Sequence, residues 1–256
     1  MAKRIEGKVA IVTGGGTGIG QGIALMLAQE GARVVVGGRR EGPLVQTVQR
    51  IRHAGGEATY RCTDVTVEAD CVALVEQAVG AYGGLDVLVS NAGAYPRRLL
   101  ADLTESIWDQ TLDVNLKGHF LMSKHAIPRL VERGGGSIIF IGSVHGYVGA
   151  PDVLAYAAAK GGLWTLACNL ARSFASQHIR VNYVNPGWVA SEGEVMHRRE
   201  LGYPDDWLEE QGRKLPMGRL QTPEDSAHVV LLLASDASSQ ITATRFNVDG
   251  CLSLMM

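Results

Sequence analysis

The chain lacks most features that would give it away early. Only four cysteines occur in its 256 residues, Cys62, Cys71, Cys168 and Cys251, and no two have paired or metal-type spacing. That argues against a disulfide framework or a zinc module, so reduced thiols and no metal are expected. No apolar run approaches the ~20 residues that span a bilayer. Met1 to Lys8 carries no apolar signal-peptide core before the first strand begins. The formal net charge is only -2, which gives no electrostatic reason to expect nucleic acid or an anionic membrane as partner. No repeat, linker or compositional break divides the chain. A cytoplasmic protein is therefore expected.

What the chain does have is 46% apolar residues, 20% charged residues and 32 glycines that fall at turns. Apolar, β-branched runs alternate with longer stretches of helical period. Val9–Val12, Arg33–Val36, Ala58–Cys62, Val87–Val89, Ser137–Ile141, Ile179–Val184 and Phe246–Val248 read as strands. Between them, helices are expected through Ile23 and Leu27, over Leu44–Ala54, Glu68–Tyr82, Trp108–Val131, Tyr156–Gln177 and Pro223–Ala234. Residues 190–216 are polar and read as a loop with one short helix. Continuously apolar strands mean a sheet covered on both faces, and strand–helix alternation means parallel units with right-handed crossovers. The expectation is one doubly wound α/β domain over 1–256, with about seven parallel strands and helices on both faces.

The run Thr13-Gly14-Gly15-Gly16-Thr17-Gly18-Ile19-Gly20 lies between the first strand and the first helix. Bare backbone N–H groups and a helix N-terminus attract phosphate there, and the strand–turn–helix context points to a dinucleotide. The glycine spacing, G-x-x-x-G-x-G, differs from the more usual G-x-G-x-x-G. A carboxylate after the second strand would bind a ribose 2′-hydroxyl, but here the strand ends Gly37-Gly38-Arg39-Arg40. Guanidinium groups bind a 2′-phosphate, so NADP is favoured, with NAD as the alternative. Asp64 and Val65 follow the third strand, where they can flank an adenine ring.

Tyr156 and Lys160 stand four residues apart on an expected helix and so share a face. An ammonium beside a phenol favours the phenolate and brings it toward the range of a working acid/base. Ser143 lies thirteen positions upstream of Tyr156.

Taken in order, Thr13-Gly14…Gly18-Ile19-Gly20, Asp64-Val65, Asn91-Ala92-Gly93, Asn115, Ser143, Tyr156…Lys160 and Pro186-Gly187 closely resemble the short-chain dehydrogenase/reductase family over the full chain. The resemblance implies a Rossmann-like fold and an NAD(P)-dependent oxidoreductase that interconverts an alcohol and a carbonyl. It implies Tyr156 as general acid/base, Ser143 holding the substrate oxygen, and Lys160 tuning the tyrosine and holding the nicotinamide ribose. Asn115 would anchor a proton-relaying water chain. Gly14, Thr17, Gly18, Ile19, Gly20, Asn91, Ala92, Gly93, Pro186, Gly187 and Val189 would line the cofactor. Ser191 stands where the family usually has threonine. Ala243 and Cys251 stand where glycine is frequent, and both departures are expected to touch packing rather than chemistry.

The substrate is less legible. His145, Tyr147 and Asp152, between Ser143 and Tyr156, offer polar contacts, as do Tyr95, Arg97 and Trp188. These favour a polar hydroxylated small molecule: a sugar, polyol or hydroxy acid. A 3-oxoacyl-(acyl-carrier-protein) reductase, with Arg129 and Arg172 as carrier-docking residues, is the competing reading of the same chemistry. A cofactor-sensing Rossmann protein is the non-enzymatic one. The charged segment with Trp188, Met196 and Trp207 reads as a lid. The apolar tail, Leu252, Leu254, Met255 and Met256, fits burial in a homotetramer or homodimer, as the resemblance also implies.

Overall fold

The computed structural model describes residues 3–255, with the side chain of residue 197 outside the description; Met256 of the expected tail also lies outside it. Seven strands, β1 (Val9–Thr13), β2 (Arg33–Gly38), β3 (Glu57–Cys62), β4 (Val87–Ser90), β5 (Gly136–Ile141), β6 (Ile179–Pro186) and β7 (Arg245–Val248), form one sheet in the order β3-β2-β1-β4-β5-β6-β7. Every pairing is parallel.

Neighbouring residues of each strand face opposite sides, and both sides are covered, which is why the strands read as unbroken apolar runs. Val34 and Val36 of β2 face one core cluster with Ile23, Leu27 and Val48. That cluster gathers α1 (Gly18–Gln29), α2 (Glu41–His53) and a later helix over Pro223–Ala234. Val35, between them, faces the second cluster with Leu74, Met122 and Leu163. There α3 (Glu68–Tyr82) packs beside the helices over Gly118–Glu132 and Leu154–Phe174.

The long helix expected over Trp108–Val131 is present and runs without a break from Glu105 to Glu132, but it carries a π-helical turn: α4 (Glu105–Leu112), the π turn over Asp113–Lys117, and α5 (Gly118–Glu132). The cause is Asn115, whose Nδ2 donates to the Thr111 carbonyl at 2.9 Å. A side chain taking the carbonyl four residues back competes with the helical ladder, and a wider turn results.

The helix expected from Tyr156 begins earlier, as α6 (Leu154–Phe174). Residues 190–216 hold two helices rather than one, α7 (Glu192–Glu200) and α8 (Trp207–Arg213). The last helix is α9 (Pro223–Ala234), entered through a capping box between Thr222 and Asp225. The strand order reverses between β1 and β4, and open parallel sheets bind ligands beyond the carboxyl ends of the strands at that point.

Candidate functional site

A cleft of about 1220 Å³ opens beyond the carboxyl ends of the strands. It brings together Gly14, Thr17, Ile19, Gly20, Arg39, Arg40, Asp64, Val65, Asn91, Ala92, Gly93, Ser143, His145, Tyr156, Lys160, Pro186, Gly187, Trp188, Val189 and Ser191. Of the site and lid residues singled out in the sequence, Gly18, Asn115, Tyr147 and Met196 are not on its wall. Tyr147 instead stacks against Arg245, whose guanidinium carbon lies 4.0 Å from its ring centroid.

The glycine turn is built for close approach. Gly14 and Gly18 have φ of +64° and +57°, and a Cβ on Gly20 would collide with the Gly14 carbonyl and reach 2.5 Å from Asn91 Nδ2. Thr13 locks this turn to β4: its hydroxyl accepts from the N–H groups of Asn91 and Ala92 at 2.9 and 3.0 Å, and Asn91 Nδ2 donates to its carbonyl at 2.9 Å. The result is a side-chain-free cradle at the start of α1, where a diphosphate fits.

Arg39 and Arg40 stand exposed at the far end of the cleft, and neither forms an ion pair among the described residues. Asp64 lies beside them. Burial works to raise its pKa, but hydrogen bonds from the Thr66 N–H and hydroxyl, together with Arg39, hold it below the ordinary carboxylate value.

At the other end, Tyr156 is on the first turn of α6, with Lys160 one turn further on the same face. The Lys160 Nζ sits 5.6 Å from the Tyr156 ring centroid and donates to the Ile141 carbonyl at 2.8 Å. The expected lowering of the phenol does not hold here: burial pushes Tyr156 up to about 12, with only a hydrogen bond to Ser143 acting downward. The ammonium points at a backbone carbonyl, and burial brings Lys160 itself from 10.5 down to about 7. Desolvation sets the direction for both groups.

Ser143, at the end of β5, accepts from the His145 N–H at 3.2 Å. The His145 ring is held below its usual pKa, first by burial, and stacks on Tyr95 at 6.1 Å. Asn115 lies just behind the wall. Its Oδ1 accepts from the Ala94 N–H at 3.2 Å and its Nδ2 donates to the Ala94 carbonyl at 2.8 Å, so the π-turn fixes the chain that leaves the Asn91-Ala92-Gly93 turn. Ser191 caps α7, its hydroxyl accepting from the Glu194 N–H at 3.2 Å.

Several supporting residues carry no distinctive sequence signal. Tyr183 is one more bulky residue in an apolar strand, yet its hydroxyl reaches the Lys160 carbonyl at 2.7 Å. Gln221 accepts from the Gly187 N–H at 2.7 Å through Oε1 and donates to the Val248 carbonyl, tying the Pro186-Gly187 turn to β7. Trp188 Nε1 donates to Glu194 at 2.9 Å, and Trp207 packs on Trp188 at 5.8 Å, so α7 and α8 form one wall of the cleft.

A glycine cradle at the strand-order reversal, with a buried Ser143 and Lys160 and a half-buried Tyr156 across the cleft, defines a dinucleotide-dependent oxidoreductase of one class. The chain belongs to the short-chain dehydrogenase/reductase family. The family profile described as enoyl-(acyl carrier protein) reductase matches residues 14–253. The chain is 38% identical to 2-(S)-hydroxypropyl-CoM dehydrogenase 3 of Xanthobacter autotrophicus, over 98% of each chain. It is 36% identical to the 3-oxoacyl-(acyl-carrier-protein) reductase of Thermotoga maritima, over 97% of this chain and 99% of that one. A putative short-chain dehydrogenase/reductase from Burkholderia xenovorans superposes with a TM-score of 0.93 at 34% identity, covering 99% of both chains.

Proposed function

We propose that this oxidoreductase interconverts a secondary alcohol and its carbonyl on a small hydroxylated molecule, with NADP preferred over NAD. The observation that carries the reading is the shared cleft: Tyr156, Ser143 and Lys160 at one end, the Gly14–Gly20 cradle and Arg39 at the other. A nicotinamide dinucleotide lying along it would supply or accept the hydride. Ser143 holds the substrate oxygen by a hydrogen bond. Tyr156, a phenol at neutral pH, gives its proton to that oxygen in reduction; in oxidation it first yields its proton toward Lys160 and then, as phenolate, takes the proton of the alcohol. Lys160, with a pKa of about 7, exchanges protons near neutrality and restores the phenol. Arg39 and Arg40 hold a 2′-phosphate.

A 3-oxoacyl thioester reductase uses the same residues. It is the weaker reading, because Arg129, one of its two candidate carrier contacts, is already engaged by Glu76 and Glu132 at 2.8 and 2.9 Å, which leaves Arg172 alone. We further read the protein as a cytoplasmic homotetramer or homodimer, supported by the exposure of Leu100 and Leu254. A light-scattering mass tests the assembly.

The deciding experiment follows nicotinamide absorbance with NADP and NAD over a panel of alcohols, ketones and a 3-oxoacyl thioester. Turnover of small alcohols that Tyr156→Phe abolishes, while dinucleotide still binds, is the expected result. Selective turnover of the thioester favours the competing reading, and full activity in Tyr156→Phe sinks the proton-transfer assignment.

A further inference from the structure

Beyond the reacting groups, the substrate end of the cleft holds more arginine than its packing requires. Tyr95 stands edge-on to Tyr156, ring centroids 4.7 Å apart, and the Arg97 guanidinium carbon lies 5.1 Å from the Tyr95 centroid. Arg97 thus lies on Tyr95, which itself abuts Tyr156, and Asp152 orients it through an ion pair of 3.0 Å. Arg98 is fixed through its backbone, its N–H donating to the Asp152 carbonyl at 2.7 Å and its position bridging to Val153. Its side chain spends one N–H on the Arg97 carbonyl and meets no carboxylate among the described residues. From the opposite wall comes Arg198, stacked on Trp188 and Trp207 and held by Glu194 at 2.8 Å.

Each carboxylate at this end, Asp152 and Glu194, is thus already matched to one guanidinium, and Arg98 is left over with unused donors. An exposed arginine is ordinary on a surface. One whose backbone is clamped at the lip of a substrate cleft, beside a second guanidinium, is a place for an anion, since arginine's planar fork matches a carboxylate and binds it by charge-assisted hydrogen bonds.

We infer that the substrate carries an anionic group, a carboxylate or sulfonate, at the end away from its alcohol carbon. Arg98, with Arg97 beside it, holds that group at the cleft's lip while Tyr156 meets the oxygen. The inference rests on the oxidoreductase reading above and narrows its substrate to hydroxy acids and their sulfonate counterparts.

The test compares kcat/KM for hydroxy acids and hydroxy sulfonates of graded length with the matching methyl esters and amides. Ratios are taken within each protein, so general damage to a variant cancels. The expected acid-over-ester ratio is about tenfold or more at low salt, falling as salt rises. In Arg98→Gln it falls at least fivefold. Acids and esters turned over within twofold of each other, or a ratio unmoved in both Arg98→Gln and Arg97→Gln, overturns the inference and leaves the oxidoreductase reading standing. If no alcohol is oxidised with either dinucleotide, the oxidoreductase reading falls and the inference with it.

Discussion

The Tyr183 hydroxyl on β6 donates to the carbonyl oxygen of Lys160 on α6 at 2.7 Å. The sheet thereby holds the backbone of the helix that carries Tyr156 and Lys160. It does so through a gap left by Gly142, where a Cβ would collide with the Tyr183 ring. Tyr183→Phe keeps the ring and loses one buried hydrogen bond, about 1 kcal/mol of stability. Because the bond fixes the catalytic helix, kcat is expected to fall with little change in cofactor affinity. Gly142→Ala forces a methyl group into the ring and costs about 1–3 kcal/mol or more. Thermal unfolding of both variants, with steady-state rates, checks the pair. Unchanged melting in Gly142→Ala contradicts the packing argument.

Lys160 gives a pH signature. Burial lowers its pKa from 10.5 to about 7, so between these values the unfolded chain binds more protons than the folded one. Stability of the cofactor-free protein therefore rises with pH above 7 and loses this contribution as pH falls to 7. Cys71 and Tyr156, raised by burial to about 11 and about 12, act in the opposite direction, but only above their ordinary values of 9.0 and 10.0. From pH 7 to 9 the denaturation midpoint of the wild type is expected to climb, and Lys160→Met to flatten the slope. Parallel slopes in the two proteins would falsify the assignment.

Arg39 tests the cofactor reading. It stands exposed at the end of β2 beside Asp64, with no ion-pair partner among the described residues, so its charge is available to a 2′-phosphate. Arg39→Asp replaces attraction by repulsion and offers a carboxylate to a ribose 2′-hydroxyl. The expected outcome is a fall of at least tenfold in the NADP-over-NAD ratio of kcat/KM, on the scale of about 1.4 kcal/mol per decade. A ratio that stays put removes Arg39 from cofactor selection.

What could be read from the sequence was what local chemistry decides. The strands are legible because covering both faces leaves Val34, Val35 and Val36 all apolar. The Tyr156–Lys160 pair is legible because one helical turn joins them. The π-turn is not, since it depends on Asn115 reaching both Thr111 and Ala94, and Ala94 is distant in sequence. That residues 190–216 hold two helices, α7 and α8, rather than the one expected, escapes notice for another reason. Their inner surface is built by Trp188, Tyr203 and Trp207 around the Arg198 guanidinium, at 5.7, 5.9 and 5.1 Å, and a charged centre breaks the apolar period that marks an amphipathic helix. The downward shift expected for Tyr156 failed because spacing shows that two groups are close but not where the ammonium points.

Two sequence departures predict stabilised variants. Ala243 and Cys251 stand where the family often has glycine, and both adopt left-handed backbone, with φ of +52° and +72°. For residues with a Cβ that conformation costs about 1–2 kcal/mol. The geometry at Cys251 is enforced by Asp249, whose carboxylate accepts from the N–H groups of Cys251 and Ser253 at 3.0 and 3.1 Å. At Ala243 it is enforced by the hydrogen bond from its own N–H to the Val181 carbonyl at 2.8 Å. Glycine relieves the strain at either position but gives back about 0.4–1 kcal/mol through a freer unfolded chain. Ala243→Gly and Cys251→Gly are each expected to gain about 0.5–1 kcal/mol, a rise of about 1–4 °C in melting temperature for a chain of this size. Both side chains are exposed, so little packing is lost to offset the gain. Scanning calorimetry of the two single variants measures it, and a fall in melting temperature in both contradicts the strain.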